Sequence, residues 1–464
     1  MNEHLKWGKE EFGHAELGDA RRTARLVKIA AACARRPAGL VAAVARGPAA
    51  REAAYRFVEN PAVDSSDIGR AMFTASARRC VSAKTVVVAV DQSTVSITDW
   101  NGTKSLGRTG NNKQAKGHAG LEVMSALGVL QGGQVVGLLA QQWHRRPEER
   151  TPSSRNDKRP VEQRESGLWH RCMKQAVEIL QESAPGTRPW FQMDRGADIN
   201  HVLLALRAMP ADFTIRANWD RRLDNGKHLL GTARRSPILG VARAWIPQSH
   251  SKPGVARKRQ ARLAIRACQV TLSMQKRNGK RVGDFPLAVV HVRELGRGRG
   301  KGVEWFLLTN RVVRTRTQAL EVVAAYRMRW SVEEFHRAWK SGVCDVERAQ
   351  VRSPDALRRW ATILAAVAAR AERLKTAARA TPDVDATTEL TRVEIDAAIV
   401  LSETKRHQPG DQLTLEQAVE LIAEVGGYTG RRNSGGPPGT TVISRGLQDV
   451  LVAARVLSRR QKSG

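Results

Sequence analysis

Acidic side chains are scarce in this sequence. Against 77 Lys and Arg, its 464 residues hold 45 Asp and Glu, a formal net charge of +32. An excess of that size implies a polyanionic partner, with nucleic acid first and an anionic membrane surface second. Cysteine is also sparse. Cys33, Cys80, Cys172, Cys268 and Cys344 are scattered and form no C-x-x-C pair, which argues against a zinc site or a disulfide framework and predicts reduced thiols. Long apolar runs are missing. No stretch approaches the roughly 20 residues of a membrane-spanning helix, and MNEHLKWGKEEFGHAELGD lacks the apolar core of a signal peptide. The expectation is a soluble cytoplasmic protein with no membrane partner. The Arg- and Ala-rich composition fits a GC-rich bacterial gene, which accounts for some basicity but not for the shortage of acids. No repeat of solenoid period is present.

The length allows two to four domains with a large core. Gly18–Arg36 predicts a helix capped by Asp19 and stopped before Pro37. Leu26, Ile29, Ala30 and Cys33 form its apolar stripe, and Arg21, Arg22, Arg25 and Lys28 line its polar side. That basic side suits a DNA backbone. Helices over Ala49–Glu59 and Ser66–Arg79 complete a small helical domain. Thr85–Asp91, TVVVAVD, is a β-branched run that predicts a buried strand ending in a carboxylate. Further strands are expected at Thr94–Thr98, Leu121–Leu130 and Val135–Gln142, the last two joined at Gly132-Gly133. Pro147–Glu165 reads as a loop and Ser166–Glu182 as a helix. Trp190–Asp194 is a second strand ending in a carboxylate, followed by a helix at Ile199–Ala208 and a strand at Phe213–Ala217. From Asp220 to Gly302 the chain is intensely basic with strand-like alternation, as expected of a β-rich insertion. Helices follow at Asp355–Ala380, Leu413–Val425 and Leu447–Val456, with a Gly/Pro/Ser linker at Arg431–Thr441.

Ala319–Gly342, ALEVVAAYRMRWSVEEFHRAWKSG, has no Pro and no interior Gly and predicts one continuous helix. At about 100° per residue, Met328, Val332, Phe335 and Trp339 share an apolar stripe. Tyr326, Arg329, Glu333 and Lys340 share another face, while Glu334 points away from it. The face is open to two readings: a solvated surface with an Arg329–Glu333 ion pair, or a site that handles phosphate and metal. The carboxylates Asp91 and Asp194 are open to two readings as well. Each can merely end its strand, and Asp198 can cap the helix that follows; or strand ends and helix together can bring carboxylates to a shared Mg²⁺.

Tyr326, Arg329, Glu333 and Lys340 keep the Y-(2)-R-(3)-E-(6)-K spacing of bacterial insertion-sequence DDE transposases. The chain resembles the transposon-five type over Tyr326–Gly342 and also at LGDARRTARLV (Leu17–Val27), AAYRFVENP (Ala53–Pro61), VDQST (Val90–Thr94) and MDRGADI (Met193–Ile199). The resemblance implies an α/β fold: a ribonuclease-H-like catalytic core with a β-rich insertion, flanked by helical N- and C-terminal domains. It implies a DDE triad of Asp91, Asp194 and Glu333 that both catalyses and holds Mg²⁺, with Mn²⁺ as a substitute. Tyr326, Arg329 and Lys340 match residues that hold terminal phosphates. Trp330 matches one that pushes a base out of the stack, and Trp305 matches one that stacks on that base; core packing is the other reading of both.

The activity implied is cut-and-paste transposition on double-stranded DNA, the transposon inverted-repeat ends and the target, at the bacterial nucleoid. The C-terminal region of such proteins pairs two subunits, so a homodimer is expected in the DNA complex. The expected division is a DNA-binding domain over residues 1–66, a catalytic domain over 67–372 with the insertion at 220–302, and a dimerisation region over 373–464. The rival readings are a nuclease of the same fold without strand transfer and a DNA-binding derivative without catalysis.

Overall fold

The computed structural model describes residues 3–109, 118–147, 160, 164–246, 259–275, 281–296, 302–403, 406–430 and 436–463. The chain divides into two compact units. The first comprises Met1–Val86, Asp91–Thr187 and Trp330–Gly464, and the second Val87–Val90 and Arg188–Arg329.

The first unit opens with helices α1 (Glu3–Phe12), α2 (Ala20–Arg35), α3 (Val41–Val44), α4 (Pro48–Val58) and α5 (Ser65–Arg78). Asp19 caps α2 as expected, accepting from the Arg21 backbone N–H at 2.8 Å. Leu26, Ile29, Ala30 and Cys33 are all buried. Helix α1 was not expected. It buries Trp7 and Phe12 and ties His4 to Glu394 at 3.0 Å, a partner 390 residues away.

Strands β1 (Thr85–Thr98), β2 (His118–Val129) and β3 (Val135–His144) follow. β2 and β3 are an antiparallel hairpin, and β2 lies between β3 and β1. Their turn uses Gly132 and Gly133 at φ +105° and +93°, a region that favours glycine. The expected break in β1 is absent, so Asp91 lies within a strand rather than at its end. The strand continues because its polar residues find partners on β2: Thr94 donates to Glu122 at 2.7 Å and Gln92 to the same carboxylate at 3.0 Å.

Helix α6 (Gly167–Ser183) packs on β3. The expected loop at Pro147–Glu165 falls largely outside the described residues, as does part of the linker at Arg431–Thr441. In the second half of this unit come α10 (Trp330–Lys340), α11 (Pro354–Ala380), α12 (Arg392–Leu401), α13 (Leu415–Val425) and α14 (Thr440–Ser463). Twenty of the 27 residues of α11 are buried, which makes it the interior helix of the unit rather than an amphipathic surface one. It packs against α10, β3, α5 and α13. Helix α14 runs well beyond the expected Leu447–Val456 in both directions.

The second unit is a sheet of β4 (Arg188–Met193), β5 (Asp212–Arg216), β6 (Ile238–Ile246), β7 (Arg259–Gln275), β8 (Arg281–Glu294) and β9 (Glu304–Thr309). The order is β4-β5-β9-β8-β7-β6, and Val87–Val90 of β1 neighbours β4. β4 and β5 are parallel, joined through helix α7 (Asn200–Ala208), as parallel neighbours require. The β5–β9, β9–β8, β8–β7 and β7–β6 pairs are antiparallel. The basic segment is thus β-rich, and β6, β7 and β8 extend the sheet beyond β9. Short α8 (Leu229–Arg235) and α9 (Arg316–Met328) complete the unit.

The expected continuous helix Ala319–Gly342 is two helices. α9 ends at Met328, and Arg329 is its C-cap with helical dihedrals of φ −53° and ψ −33°. The interruption is therefore one of hydrogen bonding and not of backbone direction at that residue.

Candidate active site

In the first unit, α10 is set by its apolar side. Val332, Phe335 and Trp339 are buried, and the Trp339 indole donates to the Ala361 carbonyl at 2.9 Å. Two consecutive carboxylates then face different surroundings. Glu334 pairs with Lys375 on α11 at 3.0 Å, as its direction away from the polar face predicts. Glu333, in the first turn, is half-buried. At the far end of the helix, Lys340 lies 3.4 Å from Ser93 Oγ and 3.4 Å from Glu347. Glu347 in turn accepts from the Ser96 backbone N–H at 3.0 Å. The last turn of α10 is thereby fixed against the Asp91–Thr98 run of β1. Trp330, the first residue of α10, is 51% exposed, which removes core packing as its role.

Asp91 is half-buried and accepts from the Gln92 backbone N–H at 2.9 Å. Beside it is a polar network that the sequence reading missed. Gln92 donates to Glu122 and Glu165, and Arg146 bridges the same two carboxylates at 2.9 and 2.6 Å. Burial pushes the Glu165 carboxyl up, but the hydrogen bonds from Arg146 and Gln92 outweigh it and hold the group below its usual range. One signal was available: Glu122 is an acid inside the otherwise apolar run LEVMSALGV.

In the second unit, Asp194 follows β4 and caps the 3₁₀ turn Arg195–Ala197, accepting from the Gly196 N–H at 2.8 Å. Asp198 does not cap the next helix. It is fully buried and accepts from Arg221 at 2.7 Å and from the backbone N–H groups of Asn218 and Trp219. The helix starts at Asn200, and Ile199 at its N-cap offers no side-chain cap. Two neighbouring aspartates thus have different duties, and Asp198 is structural.

Tyr326 is buried, with its ring edge against Trp305 at 5.4 Å between centroids. Trp305 itself is half-buried on β9. Burial raises the Tyr326 phenol pKa. Arg329 and Arg216, which share hydrogen bonds with it, act the other way, and the Asp194 charge adds to the rise. Arg216 is held below its ordinary value by burial and by the charge of Arg195, with Arg329 adding to the effect. Its buried Nε has no hydrogen-bond partner among the described residues. The second unit therefore gathers Asp194, Arg195, Arg216, Trp305, Tyr326 and Arg329. Arg195 and Arg216 were not anticipated; Arg216 is 110 residues from Tyr326, and no local pattern links them.

Of the basic residues on α2, Arg25 and Lys28 are exposed. Arg21 pairs with Asp19 at 3.0 Å. Arg22 donates to the carbonyls of Leu17 and Ala62 at 3.0 and 3.1 Å, so it ties the start of α2 to the segment before α5.

Among the described residues, no three or more His, Cys, Asp or Glu side chains are grouped so as to hold a metal ion. Asp91, Asp194 and Glu333 are each half-buried. Carboxylates within reach of water are the donor type that Mg²⁺ takes, since it keeps several waters. Also among the described residues, no helix is long and apolar enough to cross a membrane.

Family models match three stretches of the chain. Residues 4–63 match a transposase DNA-binding model, 170–369 a transposase DDE domain, and 366–462 a transposase Tn5 dimerisation domain. The chain carries a transposase DDE domain between the other two. The transposase DNA-binding, DDE and Tn5 dimerisation domains stand in that order, and the DDE domain implies a divalent metal. The DDE match takes in Asp194 and Glu333, while Asp91 lies between the first two matches. Among solved structures, the cryo-EM structure of a piggyBac transposase synaptic complex with hairpin DNA is similar at 11% identity and a TM-score of 0.32. That likeness covers 68% of this chain and 51% of the other, so the chain spans about half the length of the structure it matches.

Proposed function

We propose that this transposase excises and inserts a DNA segment by cut-and-paste, through nicking, hairpin formation and strand transfer at transposon ends. The observation that carries the reading is the group around Asp194. A carboxylate there stands with three guanidinium groups and a phenol, and Arg216 Nε has no hydrogen-bond partner among the described residues. A buried donor without a partner is costly, and a phosphate oxygen satisfies it. Guanidinium groups suit phosphate for geometric as well as electrostatic reasons.

In this reading the core is ribonuclease-H-like, and Asp91, Asp194 and Glu333 hold Mg²⁺, or Mn²⁺ in its place. A divalent metal held there would supply the Lewis acidity that phosphodiester displacement needs. Arg329, Arg216 and Tyr326 hold the terminal phosphates. Lys340, fixed beside β1, adds a further cation. A water displaces the 3′ oxygen of one strand. That freed 3′ hydroxyl attacks the opposite strand, closing a hairpin and breaking one phosphodiester as it makes another. A second water opens the hairpin, and the 3′ hydroxyl then attacks target DNA. Trp330, exposed at the head of α10, pushes a base from the stack, and Trp305 receives it.

The test is end DNA incubated with the transposase and Mg²⁺, with nicked, hairpin and double-strand-break products separated on a gel. All three are expected from the wild type and none from Glu333→Gln, which still binds DNA. Full cleavage by Glu333→Gln would overturn the triad. Nicks without any hairpin from the wild type would leave a nuclease.

A further inference from the structure

The first unit also holds a groove lined by basic residues, and none of the candidate catalytic carboxylates falls among its lining residues. The groove, of about 810 Å³, runs between α2, α4 and the C-terminal helix α14. Arg25, Lys28, Arg35 and Arg46 line it from the N-terminal side, and Arg455 and Arg459 from α14. The carboxylates among its lining residues are Glu3 and Glu394, and Glu394 already pairs with His4 at 3.0 Å and Arg370 at 3.8 Å. Arg455 is anchored across the groove, donating to the Arg35 carbonyl at 3.2 Å. Burial, and then the charges of Arg46, Arg35 and Arg459, depress its pKa. The two helix edges thus bring like charges together.

A polyanion relieves that crowding, and the spacing indicates which kind. Arg25 and Arg35 are ten residues apart on one helix, about 15 Å at 1.5 Å per residue. That span matches about four nucleotide steps of one strand at 3.4 Å each. Arg455 and Arg459 are one turn apart on the opposite edge. The array is a row rather than a point, which suits a chain of phosphates better than a single anion. We propose that the groove grips the backbone of DNA and that Arg455 and Arg459 are DNA contacts. The helix within the dimerisation match then also holds DNA, so subunit pairing and DNA occupancy share one element. The proposal rests on the transposase reading only in taking DNA as the polyanion.

The test measures end-DNA affinity across a salt series for wild type, Arg455→Ala/Arg459→Ala and Arg455→Lys/Arg459→Lys, with unfolding temperature as a control. Each phosphate contact contributes about 0.9 to the slope of log affinity on log salt. The alanine pair is expected to lower that slope by about 1–2 and low-salt affinity by at least tenfold. The lysine pair, which keeps the charge, is expected to retain the slope. An unchanged slope in the alanine pair overturns the proposal, and so does the same loss in both pairs. Inorganic tripolyphosphate and ATP are added as soluble competitors. If micromolar amounts displace DNA from the wild type but not from the alanine pair, the groove takes a soluble polyphosphate, and the DNA assignment is wrong. Nicking is scored separately at saturating DNA. A chain that binds with the full salt slope yet nicks nothing sinks the transposase reading and leaves the groove intact.

Discussion

Lys375, 1% exposed on α11, places its ammonium 3.0 Å from the carboxylate of Glu334, the residue next to Glu333. The same ammonium bonds Glu372 and, at 2.6 Å, Thr440 Oγ1 at the head of α14; Thr440 also donates to Glu372 at 3.0 Å. Glu334 is therefore committed to a structural network. That commitment fixes the rotation of α10 about its axis, and Glu333, about 100° further round, is turned to another side.

Removing the cation alone leaves two carboxylates facing each other. Burial already raises the Glu372 carboxyl pKa, and Lys375 is the main influence opposing it. Lys375→Ala is expected to cost about 3–5 kcal/mol, the usual penalty for breaking a buried ion pair from one side. Lys375→Met combined with Glu372→Gln removes both charges and is expected to recover most of that loss. Urea unfolding of the two variants decides it. A single mutant as stable as wild type would show that the network contributes little.

The two aspartates of the MDRGADI stretch separate function from structure. Asp198→Asn removes the buried charge that pairs with half-buried Arg221, and about 3 kcal/mol or more of destabilisation is expected. Asp194→Asn keeps a capping side chain for Gly196, so stability should change by less than about 0.5 kcal/mol. Nicking should nevertheless vanish. Thermal unfolding and the gel assay, run on both variants, distinguish the roles; equal losses of stability would contradict the division.

His336 is a pH marker for the packing of α10. Its ring meets Ser125 Oγ at 3.1 Å, and burial, with Lys340 adding, pulls its pKa down to about 3. The folded value lies below the unfolded 6.5. The stabilising contribution is therefore complete above pH 6.5 and is lost as pH falls from there toward 3, by about 1.4 kcal/mol per unit. His336→Gln should accordingly lose about 2 kcal/mol less than wild type between pH 7 and pH 5. Denaturant midpoints at the two pH values test it, and parallel losses would mean that the histidine takes up its proton in the folded state.

What was legible in the sequence was whatever local pattern determines. Asp19 before an apolar stripe marked α2, a glycine pair marked the β2–β3 turn, and the period of Val332, Phe335 and Trp339 marked the buried side of α10. What was not legible depends on distant partners. β1 continues past Asp91 because Glu122 satisfies Gln92 and Thr94. Helix α1 docks through His4 and Glu394. The break between α9 and α10 falls at Arg329, a good helix former that keeps helical dihedrals. Arg216 reaches Tyr326 across a sheet whose pairing no short window encodes. The charge excess pointed to nucleic acid from the outset, but the role of α14 in the basic groove became visible only when its two ends of the chain were in place.

Trp330 gives the sharpest test of the division of labour on the signature. It is half-exposed at the first position of α10, so replacing it removes little core packing, and Trp330→Ala should change stability by about 0.5 kcal/mol or less. Nicking attacks a phosphodiester that needs no extruded base, so the first product should form at a near-normal rate. The hairpin demands a distorted strand end, and taking a base from the stack costs a few kcal/mol. Without the indole wedge that cost falls on the DNA alone, and nicked product should accumulate while hairpin yield drops at least tenfold. End DNA carrying a mismatched or abasic position at the extruded base needs less unstacking and should restore hairpin formation to the variant. That rescue separates a wedge from a scaffold, because a distorted helix would not be repaired by a change in the substrate. A normal hairpin yield from Trp330→Ala on intact duplex would remove the wedge role altogether.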